Sequence, residues 1–114
     1  MLEGADQAAA RAALAGRLGR MNAKTLIDYL RQKDPEVRRA AAVALGAKDK
    51  ATLPEFAAAL IRSLADESPA VVQAARMSLK ALSGLDHGPE VGAKAGDRLK
   101  AFTAWQAWWA AQNK

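Results

Sequence analysis

Asp34-Pro35-Glu36-Val37-Arg38-Arg39-Ala40-Ala41-Ala42-Val43-Ala44-Leu45 returns in outline 34 residues further along the chain. Displaced by that amount, Pro35 falls on Pro69, Val37 on Val71, Ala40 and Ala41 on Ala74 and Ala75, and Leu45 on Leu79. Upstream, Leu26, Ile27 and Leu30 fall on Leu60, Ile61 and Leu64. The matches are apolar positions and a proline, the places where packing and chain reversal restrict the choice of residue. A fixed period of this length marks stacked supersecondary units, each burying a face against the next.

Inside the stretch the spacing is helical. Asp34 followed by Pro35 reads as an N-cap and a first helical residue, where the missing N–H of proline is not needed. Val37, Ala41, Ala44 and Leu45 then recur on one face of a 3.6-residue period, and Gly46 to Lys50 ends the helix. Ahead of it, Asn22 offers an N-cap for a helix reaching Gln32 with Leu26, Ile27 and Leu30 inward. The plan then repeats. Pro54 opens a helix that buries Phe56, Leu60, Ile61 and Leu64, and Ser68-Pro69 caps one that buries Val71, Ala75, Ser78, Leu79 and Leu82.

Repeat one therefore spans residues 22–47 and repeat two residues 53–84. An earlier helix over 5–20, with Asp6 as N-cap and Ala10, Ala13, Leu14 and Leu18 on one side, reads either as the second half of a preceding repeat or as a cap. Gly84, Gly88, Gly92, Gly96 and Pro89 mark 85–96 as a loop. A last helix over 97–112 presents Leu99, Phe102, Trp105 and Trp109 on one side. No alternating strand pattern appears. The expected fold is all-α: one domain over 1–114, a short right-handed α-solenoid of antiparallel helix pairs with a capping helix at each end.

Composition narrows the function classes. About half the chain is apolar, but much of that is alanine, which favours helix while supplying little buried area. No window approaches the roughly 20 apolar residues of a membrane span. Met1 to Asp6 lacks a basic region followed by an apolar run, so no secretion signal is visible and a cytoplasmic location is favoured. The chain has no cysteine, which removes disulfides, thiolate metal sites and cysteine nucleophiles and suits either redox environment. The formal charge of +5 is uneven: residues 23–50 carry seven cations and four anions, residues 51–84 three of each. Such a balance favours acidic partners.

Paired helices, the Asp-Pro-x-Val-Arg turn at Asp34 to Arg38 and the Ala-x-x-Ala-Leu-Gly ending at Ala41 to Gly46 together resemble the HEAT-repeat family, over about residues 22–84. The second unit departs from the pattern. It reads Ser68-Pro69-Ala70-Val71-Val72, with valine in the arginine position and the aspartate moved to Asp66. The resemblance implies a ladder of aspartate and arginine between neighbouring repeats, here only partly built. Ala81 to Asp86, followed by Trp105-x-x-Trp108-Trp109, is similar to the ends of HEAT arrays in large bacterial proteins. What the resemblance implies is a scaffold that binds proteins or, less often, nucleic acid, with second helices lining a concave side and chemistry rare.

On that concave side, the positions opposite the core face of repeat one are Arg39, Ala42, Val43 and Gly46, and their counterparts are Gln73, Arg76, Met77 and Lys80. The expectation is a shallow groove with Arg39, Arg76 and Lys80 along it and no carboxylate among these positions, set against an ordinary solvated helix face. Arg38, four residues after Asp34, is read as a structural capping and ladder arginine. Trp105 and Trp109 are read as a cap over the array's end. Trp108 points about 80–100° away from their stripe and is either an exposed contact residue or covered by the loop.

His87 stands alone in its loop with no second histidine or cysteine to complete a metal set, and is read as an exposed residue or a hydrogen-bonder within the loop. No serine has a histidine–carboxylate arrangement, and no glycine-rich phosphate motif occurs. The reading is a non-enzymatic protein-binding module without cofactor or metal. Its candidate partner contacts are Arg39, Arg76, Lys80 and Trp108. The alternative is weak nucleic-acid or other polyanion binding through the basic groove, and a purely structural role such as oligomerisation is a third.

Overall fold

Helix starts are written in short polar side chains, and two of the four read from the sequence cap as expected. Asn22 Oδ1 accepts the Thr25 N–H and Asp34 Oδ1 accepts the Glu36 N–H, each at 2.9 Å. In the computed structural model, which describes residues 3–112, the helices are α1 (Glu3–Gly19), α2 (Ala23–Tyr29), α3 (Pro35–Gly46), α4 (Leu53–Ser63), α5 (Pro69–Ser83) and α6 (Ala95–Gln112), with a 3₁₀ turn at Lys50–Thr52. The described residues form no strand.

The boundaries differ from the sequence reading in four places. Asp6 lies inside α1, which already runs at Glu3. The first helix of repeat one stops at Tyr29, short of Gln32. Ser68 sits at the N-cap of α5 without a side-chain bond, and its own N–H is donated to Asp66 Oδ1 at 2.9 Å. At the other end α6 begins at Ala95, so the connecting segment is shorter than 85–96 and Gly96 is helical.

Packing follows the repeat. α2 pairs with α3 and α4 with α5, α2 lies beside α4, and α3 lies along α5. α1 packs on the free side of α3, the position of a second helix from a preceding unit. Leu26, Leu45, Leu60 and Leu79 are fully buried, so each repeat contributes an equivalent pair to one continuous core with Leu18, Phe56 and Leu64. Where α3 meets α5 the backbones come close: Ser78 Oγ donates to the Ala42 carbonyl at 2.6 Å. The architecture is a short HEAT-like α-solenoid.

The end of the array breaks the plan. Gly84 closes α5 in the left-handed conformation (φ 77°), which a residue with a Cβ adopts only with strain. The chain then runs back along α5 as an extended strap. Arg76 reaches Asp86, Gln73 reaches Pro89, and Pro69 and Val72 line a cleft with Val91, Gly92 and Ala93. α6 starts beside the end of α4, where Ala95, Arg98, Leu99 and Phe102 share a cleft with Leu64 to Glu67. From there α6 returns along α4 in the opposite direction, whereas α2 and α4 are parallel. Trp105 and Ala101 are its buried residues, and Leu99, expected inward, is 65% exposed.

Candidate functional site

The outer positions of the second helices do not form one groove. Ala42 is fully buried and Gly46 half-buried, because α5 lies directly on them. A Cβ on Gly46 would stand 2.9 Å from the Ser78 Cα. In repeat one these positions are therefore the seat of the next second helix. Their counterparts Arg76 and Lys80 face the side where a further second helix would lie, and the strap occupies that side.

Arg76 is clamped there. Its Nε and Nη2 donate to the two Asp86 oxygens at 2.9 and 2.8 Å, Nη1 donates to the Pro89 carbonyl at 3.1 Å, and Nη2 also reaches Glu90 at 3.3 Å. Gln73 Nε2 donates to the same Pro89 carbonyl at 3.0 Å. Lys80 stays half-exposed with its Nζ 3.9 Å from Asp86. The Arg76 fork, the Gly88 N–H and the positive charges of Arg76 and Lys80 hold the Asp86 carboxyl down at about 2. Bidentate charge-assisted bonds of this kind fix orientation as well as charge.

Arg39 is compensated as well. Glu36 Oε1 accepts from Arg39 Nε and Nη2 at 3.1 and 2.8 Å and lies 2.9 Å from Arg11 Nε, which ties α1 to α3. The Arg39 bonds pull the Glu36 carboxyl below its usual range. Both shifted carboxylates move down, which suits holding charge rather than passing protons near neutral pH. Beside Lys80, the second helices leave two large apolar side chains open: Val43 and Met77, at equivalent positions of α3 and α5, are 45% and 56% exposed.

Trp105 is fully buried, with Nε1–H donated to the Gly88 carbonyl at 2.9 Å and His87 edge-on at 4.7 Å. Trp108 and Trp109 are half-buried, Trp108 standing edge-on to Trp105 at 5.6 Å. The four candidate contacts thus separate. Arg39 sits at the α1 side, Arg76 lies under the strap with Lys80 exposed at its edge, and Trp108 is in the aromatic cluster of α6. The strap's grip on α5 does not follow from the glycines and proline that mark 85–96 as a loop. The available signal was Asp86 and Glu90, two carboxylates four residues apart just after a helix that ends in cations.

Between the repeats, Arg38 donates through Nε and Nη2 to both oxygens of Asp66, at 2.9 and 3.1 Å, and through Nη1 to the Gln32 and Lys33 carbonyls. Asp34 is occupied by the Glu36 N–H and Asp66 also by the Ser68 N–H. One rung of an inter-repeat ladder is present. Among the described residues no three His, Cys, Asp or Glu gather as a metal set.

Among known proteins, a family model described as HEAT repeats matches residues 1–80, which takes in α1 to most of α5 and ends ahead of the strap. No curated protein and no solved structure gives a significant match.

Proposed function

Because this chain belongs to the HEAT-repeat family, whose repeats generally mediate protein–protein interaction, we propose that it takes a protein partner across the exposed side of α3 and α5. The family is typically non-enzymatic scaffolding, and no helix of the described residues is long and apolar enough to cross a membrane. The observation that carries the reading is Val43 and Met77, two exposed apolar side chains at the same register of successive second helices. Methionine adapts its shape to a partner at little cost and is enriched at protein interfaces. Lys80, and Trp108 from α6, are the proposed flanking contacts. Arg39 and Arg76 act in this reading as structural charges that hold α1 and the strap in place.

A photo-reactive side chain tests the surface. Placed at Met77 in cell extract it should give a discrete protein adduct, and Val43→Asp should reduce the yield severalfold. Placed at Ala58, exposed on the outer side of α4, it should give none. Equal adducts from both positions would contradict the proposal.

A further inference from the structure

The second helices run side by side in one direction. Arg11 of α1 meets Glu36 at the start of α3, and Lys48 just past the end of α3 meets the Gly19 carbonyl at the end of α1. The repeat sets α5 parallel to α3 in the same way. Each helix turns its core residues inward and leaves one outward position in register: Ala12 on α1, Val43 on α3 and Met77 on α5, all exposed. One turn further on, Gly16, Ala47 and Ala81 are exposed too, so small residues border the two large ones and let another helix layer come close.

A face that carries one register twice is matched by its own copy. Let a second molecule be turned by half a revolution about the normal to this face, midway between Val43 and Met77. Its α3 then lies over α5 and its α5 over α3, with the helices reversed. Val43 meets Met77 of the second copy and Met77 meets Val43, the reciprocal pairing that a two-fold interface requires.

Charge favours this direction. Arg17, Arg20, Lys48, Lys50 and Lys80 gather where the second helices end, beside Asp49 and the clamped Asp86. The helix starts are balanced: Asp34, Glu36 and Glu67 stand there with Lys33 and Arg39, while Arg38 is bonded to Asp66. Stacking in the same direction would set two basic ends against each other. The reversed stacking lays each basic end over the carboxylates of the other copy's helix starts.

We propose that the chain pairs with a second copy of itself across this face, helices reversed, with Val43 and Met77 at the centre. The proposal rests on the protein-binding reading above and names its partner. Three helices about 10 Å apart and overlapping for about 18 Å present roughly 500 Å² per copy, the lower end of specific interfaces, so the dimer is weak.

Sedimentation of the purified full chain should show a monomer at about 5 μM and a shift toward dimer by about 500 μM. Val43→Asp and Met77→Asp should each weaken association by at least about tenfold, because the interface would bury an unpaired charge, with circular dichroism unchanged. Ala58→Asp, on the outer side of α4, should leave it alone. The chain has no cysteine, so Val43→Cys mixed with Met77→Cys should form a disulfide-linked pair faster than either variant forms one with itself. A monomer at every concentration would overturn the proposal, and a cell-extract adduct from Met77 would then point to a different protein on the same face. A dimer indifferent to both aspartates would overturn the proposal and the protein-binding face together. Like-with-like disulfides forming as fast as the mixed one would overturn the reversed pairing.

Discussion

Asp86 is a surface carboxylate turned into a clasp by what surrounds it. Arg76 bonds both of its oxygens, the Gly88 N–H adds a third bond, and Lys80 adds charge, so its carboxyl titrates at about 2 instead of the ordinary 3.8. A folded value below the unfolded one means the clasp contributes stability above about pH 4, and that this contribution is lost as pH falls through 2. An NMR titration of the Asp86 carboxyl should therefore find its midpoint near 2, and Asp86→Asn should remove that part of the acid-side loss of stability. A midpoint near 3.8 would mean that the strap is not held this way. At this scale the sequence identifies residue roles better than partners. Arg38 was legible as a ladder arginine, but a partner 28 residues away, Asp66, follows from neither spacing nor helix geometry. Asp34, the nearer carboxylate, is spent on its own helix start.

Among the helices, periodicity shows clearly which face of α3 meets α2 and says less about the second buried face that a solenoid requires. Ala42 and Gly46 looked open because they lie opposite Val37, Ala41 and Leu45, yet they are where α5 rests. The signal was their size: small residues at 42 and 46 become Arg76 and Lys80 once no further second helix must be seated. Gly46→Ala should accordingly destabilise the fold by about 1–3 kcal/mol, since its methyl must push α3 off Ser78. Gly16→Ala, in a helix with open space at that position, should stabilise by roughly 0.5–1 kcal/mol. Urea titration of the two variants separates the cases, and a shared sign would contradict the assignment of the α3–α5 contact.

For the whole molecule, the 34-residue repeat read from the sequence carries the two helix pairs, and the tryptophan stripe carries the existence of a cap. The way the cap is delivered was not legible. Glycines announce a loop, but the docking of Asp86, Pro89 and Glu90 along α5 depends on side chains brought together only after α5 has packed. That strap carries the chain back to the end of α4, and α6 then covers the array from the reverse direction, with Trp105 sealed under the strap and bonded to Gly88. A buried aromatic truncated to alanine costs about 3–5 kcal/mol, and each kcal/mol moves the melting temperature of a chain this size by roughly 4–8 °C. The direct test of this closure is the melting temperature and sedimentation behaviour of the chain lacking residues 97–114. The cap account predicts a fall of at least about 10 °C, or association through the uncovered α4 face. A truncated chain that stays monomeric and melts within about two degrees of the original would contradict it.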